Sequence, residues 1–340
     1  MDKLIAQKAK ALLKEPKKIV IIGHKNPDGD AIGSCLGLGF FLKNEGHDVQ
    51  VIMPNDFPEF LKWLPGCESI IVHEKETDKS KDLIDSAEII FTLDFNAFNR
   101  TGDIAPFLEK SKADFILIDH HQQPDDYAKV IFSDTSMSST AEMVFHFIDA
   151  LEGKKSITSE IATLLYTGIM TDTGSFRFPS TTAITHRVIA DLIDAGAINY
   201  SIHEGIYDSN SQDRMHLLGV ALKNLEILPE YNTAYITMSQ KELDDNNFKK
   251  GDTEGFVNYA LSIKGIVLAI IFIENKQENI VKMSLRSKGE FSVNNLARKY
   301  YNGGGHTNAA GGRSEKSLSE TISEFITILP NYKNELTNED

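Results

Sequence analysis

The fold is decided near the start of the chain by the stretch Lys18-Ile19-Val20-Ile21-Ile22-Gly23-His24-Lys25-Asn26-Pro27-Asp28-Gly29-Asp30. Four consecutive β-branched apolar residues after the lysine predict a buried strand. A helix-like pattern over residues 30–44 and a second apolar run at residues 49–53 follow, which together predict one βαβ unit. Since strands joined by such a crossover lie parallel, the sequence predicts a parallel sheet.

Two later apolar runs, at residues 89–93 and 115–118, extend this pattern. Each run is continuously apolar rather than alternating, as in strands that helices cover on both faces. Apolar side chains then recur at helical spacing over residues 138–194. The sequence therefore predicts an α/β domain at residues 1–198, built on a doubly wound parallel sheet.

The rest of the chain predicts a second, smaller domain. Residues 199–228 are helical in pattern and more polar, which indicates a helical connector. Strand patterns return at residues 234–237, 265–273 and 280–285, before a glycine-rich loop and a final amphipathic helix. We expect an α+β domain at residues 229–340, and 340 residues agree with two domains of about 100–200 residues each.

Composition limits the classes of function. The chain has 35 Lys and Arg against 49 Asp and Glu, a formal net charge of −14, which argues against a broad basic face for long duplex nucleic acid. The longest nearly apolar run, residues 266–273, is far below the ~20 residues that cross a bilayer, so we expect no membrane contact. Cys35 and Cys67 are too few for a disulfide framework, which favours the cytoplasm.

Three potential metal ligands follow the first predicted strand, namely His24, Asp28 and Asp30. Ligands of open α/β sheets gather outside the carboxyl ends of the strands, where this loop lies. An isolated Pro-Asp-Gly is more often a turn that caps a helix. Here Gly29 lets the backbone turn so that both carboxylates can point inward, and the three ligand types together favour a metal site.

Acids also follow the other strands. Asp94 ends the run at residues 89–93, Asp119-His120-His121 ends the next run, and Asp172 closes a predicted helix. Adjacent imidazoles at a strand end need hydrogen-bond partners or a cation, and crowded carboxylates repel one another. Two divalent ions are the economical explanation. The six candidate metal ligands are His24, Asp28, Asp30, Asp94, His120 and Asp172.

The ligand chemistry narrows the choice of ion and of reaction. Oxygen and imidazole ligands without a thiolate favour Mn²⁺ or Mg²⁺, and the histidines favour Mn²⁺. Two such ions about 3.5–4 Å apart can hold a hydroxide and clamp a phosphoryl oxygen for in-line attack. The sequence thus predicts a metal-dependent phosphohydrolase with two Mn²⁺ ions, Mg²⁺ being an alternative.

A second group of candidates lies in the C-terminal domain. The stretch Gly303-Gly304-Gly305-His306 can form a nest of backbone N–H groups for an anion, although a tight turn is an equal alternative. Arg286 and Ser287 end a predicted strand, and Arg286 suits bidentate phosphate contact. Arg100, in the loop after Asp94, could meet phosphate or belong to a capping loop. The candidate substrate-binding residues are Arg100, Arg286, Ser287, Gly304, Gly305 and His306.

Taken together, these motifs resemble the DHH phosphoesterase family, named for the triplet Asp119-His120-His121, and residues 303–311 resemble the loop of its DHHA1 domain. The likeness covers nearly the whole chain and is greatest to the subfamily of bifunctional oligoribonucleases (nanoRNases) and pAp phosphatases. The resemblance implies one Mn²⁺ bound by His24, Asp28 and Asp94 and another by Asp30, Asp94, His120 and Asp172. It implies that His121 faces the scissile phosphate and that Asp119 orients a histidine or acts directly.

The resemblance also implies a substrate class. We expect hydrolysis of short single-stranded oligonucleotides or of the mononucleotide bisphosphate 3′-phosphoadenosine 5′-phosphate, by a monomer or a homodimer. The main alternative is a soluble phosphodiesterase for cyclic or linear dinucleotides. A nucleotide sensor without catalysis is disfavoured by the complete ligand set, and a pyrophosphatase by the glycine-rich loop.

Overall fold

The protein, described by a computed structural model over residues 3–337, divides into two compact units, Met1–Ser209 and Asn210–Asp340. Residues 1, 2 and 338–340, the outer ends of the two predicted domains, lie outside the described residues. The predicted connector at residues 199–228 is divided between the units, since one of its helices falls in each.

The first unit contains a six-stranded, wholly parallel sheet. Its strands are β1 (Lys18–Ile22), β2 (Asp48–Met53), β3 (Ile71–Val72), β4 (Ile89–Leu93), β5 (Asp114–Asp119) and β6 (Val130–Ser133). They lie in the order β3-β2-β1-β4-β5-β6, and Ile21 pairs with Val51 on one side and with Phe91 on the other. The order reverses beside β1, which is the arrangement of doubly wound folds.

Helices cover both faces of this sheet. They are α1 (Lys3–Leu12), α2 (Gly29–Asn44), α3 (Thr77–Ser86), α4 (Ala105–Leu108), α5 (Thr140–Leu151), α6 (Ser159–Asp172), α7 (Ala183–Asp194) and α8 (Asn199–Tyr207). Alternate residues of β1 enter different hydrophobic clusters: Ile19 and Ile21 join one, and Val20 and Ile22 the other. Burial on both faces explains why the strands are continuously apolar.

The second unit is α+β. Its strands are β7 (Leu225–Leu228), β8 (Thr233–Met238), β9 (Leu268–Asn275), β10 (Ile280–Ser287), β11 (Gly304–Gly305) and β12 (Ala309–Ser314), in the order β11-β12-β10-β9-β8-β7. Its helices are α9 (Gln212–Lys223), α10 (Gln240–Asp245), α11 (Phe256–Leu261), α12 (Val293–Tyr300), α13 (Leu318–Ile328) and α14 (Lys333–Thr337). The sheet is mixed, since β8 and β9 are parallel and the other neighbours antiparallel.

The predicted fold class is confirmed, with five strands added: β3, β6, β7, β11 and β12, the last two in the stretch predicted as a glycine-rich loop. The edge strands β3 and β6 escaped prediction because they have two and four residues. The predicted connector ends in the strand β7 rather than in a helix, since residues 225–228 pair with β8. Within residues 3–337, no helix is both long and apolar enough to cross a membrane.

Candidate metal centre

The candidate metal ligands meet where β1, β4 and β5 end, since these strands are neighbours in the sheet. Asp94 follows β4 directly and adopts a left-handed backbone with φ of 64°, while its N–H donates to Ile118 O at 3.2 Å. Aspartate tolerates this conformation better than most residues. The bend sends the Asp94 side chain, which is 2% exposed, into the middle of the site.

A first cluster surrounds His24, in the loop after β1. Its Nε2 lies 3.4 Å from Asp94 Oδ2 and 3.8 Å from Asp28 Oδ1. Its Nδ1 lies 2.9 Å from Lys25 O, so we assign the ring proton to Nδ1. When the ring is neutral, this tautomer turns the Nε2 lone pair toward the two carboxylates, as in a histidine that binds a metal.

A second cluster surrounds His120, in the loop after β5. Its Nε2 lies 3.5 Å from Asp172 Oδ2, 3.6 Å from Asp94 Oδ1 and 3.9 Å from Asp30 Oδ2. Its Nδ1 lies 3.3 Å from Met137 O, which favours the same tautomer as in His24. The two rings therefore present the same atom to their carboxylates.

Asp94 links the two clusters. Its Oδ2 faces His24, and its Oδ1 faces His120. In each cluster the ligand atoms all lie within 4.8 Å of one another; the two groups are His24–Asp28–Asp94 and Asp30–His120–Asp172. A carboxylate with one oxygen toward each group is placed to bridge two cations.

The remaining residues of the triplet form a pair. Asp119, the last residue of β5, is fully buried, and its Oδ1 lies 2.7 Å from His121 Nδ1. Its Oδ2 has no hydrogen-bond partner among residues 3–337. The bond to Oδ1 fixes the ring of His121.

Close packing of α2 against α6 brings Asp30 and Asp172 to the same side of the site. A Cβ at Gly33 would overlap the carbonyl oxygen of Leu164 on α6, so only glycine allows this approach. A Cβ at Gly168 would lie 2.9 Å from Asp30 Oδ1, so the absence of a side chain at Gly168 leaves room for that ligand. The glycines thus place two carboxylates on two helices within reach of one ion.

Crowding shifts the titration of these groups. Burial, with the charges of Asp94 and Asp172, raises the pKa of Asp30 well above its ordinary value. Burial and the carboxylates of Asp28 and Asp94 raise the pKa of Asp172 to about 6. Burial disfavours the charged ring of His24, but the adjacent carboxylates of Asp28 and Asp94 outweigh burial and raise the pKa of His24 to about 10. A divalent cation would displace these protons and relieve the repulsion.

The donor set fits a divalent cation on three grounds. It combines carboxylate oxygens and imidazole nitrogens, and neither cluster includes a cysteine sulfur. Both ligand histidines turn Nε2 toward carboxylates. His24, Asp30, Asp94 and His120 are also buried, which makes unpaired negative charge on the two aspartates costly.

Sequence reasoning missed the residues that hold these ligands in place. The N–H of Asn26, whose φ is 58°, donates to Asn55 Oδ1 at 2.7 Å, and Asn55 Nδ2 donates back to Asn26 Oδ1 at 3.0 Å. Thr140, the first residue of α5, donates through Oγ1 to Asp94 Oδ1 at 2.9 Å. The spacing of Ser139 and Glu142 carries the signature of a helix start, which could have located Thr140 but not its bond to Asp94.

The glycine-rich loop of the second unit has a structural role. A Cβ at Gly303 or Gly305 would overlap the backbone of β12, so both are needed for the tight pairing of β11 with β12. The N–H groups of Gly303, Gly305 and His306 already donate within the unit. Their acceptors are Ala297 O at 3.2 Å, Asn294 Oδ1 at 3.1 Å and Ala309 O at 2.7 Å. The predicted nest does not hold for these three amides, because their donors are used.

The other candidate substrate residues lie at two places. Arg286 and Ser287 end β10 beside the turn at His306, since Arg286 pairs with Ala309. The Ser287 hydroxyl donates to Phe291 O at 2.6 Å and accepts from the Asn308 amide, so it supports this corner of the unit.

Arg100 lies in the first unit, in a short 3₁₀ segment after β4, and its side chain is half-buried. Its carbonyl oxygen accepts from Lys25 N–H at 2.8 Å, so its backbone braces the loop that carries His24. The structure therefore shows a structural role for the main chain of Arg100, which supports the loop after β1.

Comparison with known proteins finds a matching family domain in each of the two units. The sequence model for the N-terminal domain of the DHH family matches residues 18–169, and that of the DHHA1 domain matches residues 231–333. The bifunctional oligoribonuclease and PAP phosphatase NrnA of Thermus thermophilus is 32% identical over 309 residues, 91% of this chain and 87% of that protein. Its namesake from Bacillus subtilis is 28% identical over 296 residues, 86% of this chain and 88% of that protein.

A solved structure is similar over the whole length. The crystal structure of an exopolyphosphatase-related protein from Bacteroides fragilis superimposes with a TM-score of 0.95 at 37% identity, and the match covers 99% of this chain and 98% of that one. Such a likeness extends to both units and to the order of their elements.

Proposed function

This chain belongs to the DHH family of phosphoesterases, and from that premise we propose that it hydrolyses phosphate esters of short nucleotides, namely oligoribonucleotides of a few residues and 3′-phosphoadenosine 5′-phosphate. Support comes from relatives named for both activities at 28–32% identity over most of the chain. The net charge of −14 supports short substrates, because a long polyanion would be repelled outside the site.

The observation that carries the proposal is the position of Asp94, with one carboxylate oxygen toward each ligand cluster. A buried carboxylate shared in this way fits two divalent ions, and the mixed oxygen and imidazole donors favour Mn²⁺ over Mg²⁺. Bound ions of this kind supply Lewis acidity to the phosphoryl group and favour deprotonation of water. His24 and Asp28 hold one ion in this proposal, and Asp30, His120 and Asp172 hold the other.

His121 is the proposed catalytic residue. It is not needed to complete either ligand cluster, and its Nδ1 is held by Asp119 at 2.7 Å. A ring fixed through Nδ1 presents Nε2 as the atom that contacts a phosphoryl oxygen or exchanges a proton with the leaving group. Because the Asp119 carboxyl group is buried and lies 2.7 Å from His121 Nδ1, it can stabilise positive charge that develops on the ring during that exchange.

Substrate recognition in the second unit is assigned to Arg286 and His306, which lie at the same corner of the sheet, since Arg286 pairs with Ala309 in the turn that begins at His306. A guanidinium there suits a terminal phosphate. Ser287 and Gly305 contribute by shaping the corner, because the Ser287 hydroxyl and the Gly305 N–H are bonded within the unit. Gly304 contributes through its place beside Gly305 in β11, where it pairs with Gly311.

A substrate panel tests the proposed function. Wild-type protein is assayed with 3′-phosphoadenosine 5′-phosphate, RNA and DNA of two to five nucleotides, linear and cyclic dinucleotides, and a 24-nucleotide RNA, each with Mn²⁺ or Mg²⁺. We expect Mn²⁺-dependent release of mononucleotides from the short RNA and of phosphate from the bisphosphate. Preference for a cyclic dinucleotide, or equal rates without any divalent ion, would contradict the proposal.

A further inference from the structure

The start of α5 contacts only one side of the proposed two-ion centre. Thr140 N–H donates to Asp30 Oδ2 at 2.7 Å, and Ala141 N–H donates to Asp30 Oδ1 at 2.8 Å. The Thr140 hydroxyl donates to Asp94 Oδ1 at 2.9 Å, the oxygen on the same side as Asp30. The other oxygen of Asp94, which faces His24, receives no bond from α5.

These bonds are buried and well anchored. Thr140 is 0% exposed, so its hydroxyl keeps its bond to Asp94 with no water competing. The start of α5 is itself held by Glu142, whose Oε2 accepts from Ser138 and from Thr185 Oγ1 at 3.0 Å. The donors that meet Asp30 and Asp94 are thus fixed before any ligand arrives.

We propose that Thr140 is a positioning residue that makes the two sides of Asp94 unequal, so that the ion held by Asp30, His120 and Asp172 depends on the Thr140 hydroxyl and the ion held by His24 and Asp28 does not. The inference rests on the proposed two-ion centre and adds a residue that governs one half of it.

The direction of the effect follows from orientation. The Thr140 hydroxyl bonds to Asp94 Oδ1, the oxygen that faces His120, whereas Oδ2 faces His24, so loss of this bond acts first on the His120 side. Hydrogen bonds to ligands typically change metal affinity about 10–100-fold when removed. On the other side, Asp28 is oriented by the N–H groups of Asp30 and Ala31 at 3.1 Å each, which Thr140 does not touch.

The test measures Mn²⁺ affinity by calorimetric titration of ion-free protein, without any assay of activity. Thr140→Val removes the hydroxyl and keeps the shape, and it is measured in two backgrounds that each retain one cluster. Asp28→Asn leaves the Asp30 side, and Asp172→Asn leaves the His24 side. We expect Thr140→Val to weaken Mn²⁺ binding about 10–100-fold in the first background and less than about 3-fold in the second.

Matched controls separate orientation from damage to the fold. Thr321→Val makes the same change at a buried threonine of the other unit, whose Oγ1 donates to Ser314 Oγ at 3.0 Å, and should leave both affinities unchanged. Thr140→Ser should restore the affinity that Thr140→Val loses. Where the valine variant fails to fold, Thr140→Ser and Thr140→Ala form a second pair that differs only in the hydroxyl.

Equal weakening in both backgrounds, or no weakening in the Asp28→Asn background, would overturn the role of Thr140 while leaving the two-ion centre in place. A wild-type protein that binds no Mn²⁺ would instead overturn the proposed centre, and that result is seen before any Thr140 variant is measured.

Discussion

The two units carry candidate residues of different kinds. In the first unit, buried charged side chains from three strand ends and two helices converge around Asp94, and repulsion among them calls for a cation. In the second unit, the conspicuous loop at Gly303–Gly305 is explained by tight strand pairing and internal hydrogen bonds. A cluster of buried charged side chains is therefore better evidence for a functional site than a glycine-rich loop is. We expect substitutions in the first unit to lower kcat, and substitutions in the second unit to change KM or stability.

The largest effect is expected at Asp94. Asp94→Asn keeps the shape and tolerates the left-handed backbone, but it removes the charge that both clusters share. Loss of several kcal/mol of electrostatic stabilisation corresponds to a fall in kcat of about 10³-fold or more. Steady-state hydrolysis of a dinucleotide with Mn²⁺ measures it. Asp191→Asn, which breaks a surface pair with Lys154, is the control.

Near-normal activity of Asp94→Asn would contradict a catalytic role for the clustered charged residues of the first unit. The first unit would then not differ from the second in this respect. A matching loss in Asp191→Asn would assign the effect to net charge rather than to the site.

A smaller loss of kcat is expected when His121 stays in place but the carboxylate of Asp119 is removed. Asp119→Asn keeps a hydrogen-bonding group beside His121 but cannot stabilise its protonated ring. We expect kcat to fall about 10²-fold with little change in KM and with Mn²⁺ affinity retained. A change in KM alone, or loss of the metal, would show that Asp119 supports binding instead.

In the second unit the effect should appear in binding. Arg286→Ala removes a proposed phosphate contact, and KM for the bisphosphate should rise about 10-fold while kcat changes little. Lys282→Ala removes an exposed cation from the same strand and is the matched control. A loss confined to kcat would mean that Arg286 acts in the catalytic step rather than in binding. The proposed division of catalysis and binding between the units would then be wrong.

The smallest effect concerns stability within the glycine loop. Gly303→Ala places a Cβ against the backbone of Gly311 and should lower the free energy of unfolding by about 1–3 kcal/mol, measured by urea denaturation. A Cβ at Gly304 meets nothing nearer than Arg298 at 3.7 Å, so Gly304→Ala should cost less than about 1 kcal/mol. Equal costs would mean that strand pairing does not explain these glycines.

Much of the fold follows from the sequence because its strands and helices are long and regular. The runs at residues 18–22 and 89–93 match the observed strands residue for residue, whereas β3 and β6 are too short to leave a pattern. The six candidate metal ligands could be recognised because most of them are acids and histidines that follow apolar strands. Such polar side chains need hydrogen-bond partners or a cation at these positions.

The partners of those ligands could not be foreseen. Asn55 and Thr140 are ordinary residue types, and their roles depend on contacts across 29 and 46 residues of chain, with Asn26 and Asp94. The predicted nest does not hold at Gly303, Gly305 and His306 for a related reason, since only the folded structure shows that their amides already donate to α12 and to Ala309.

The most direct test of the two-ion centre is anomalous diffraction at the manganese edge from crystals grown with Mn²⁺. We predict two peaks on either side of the Asp94 carboxylate, one bordered by His24 and Asp28 and the other by Asp30, His120 and Asp172. A single peak, or peaks that do not include Asp94 among their ligands, would contradict a shared carboxylate as the basis of the site.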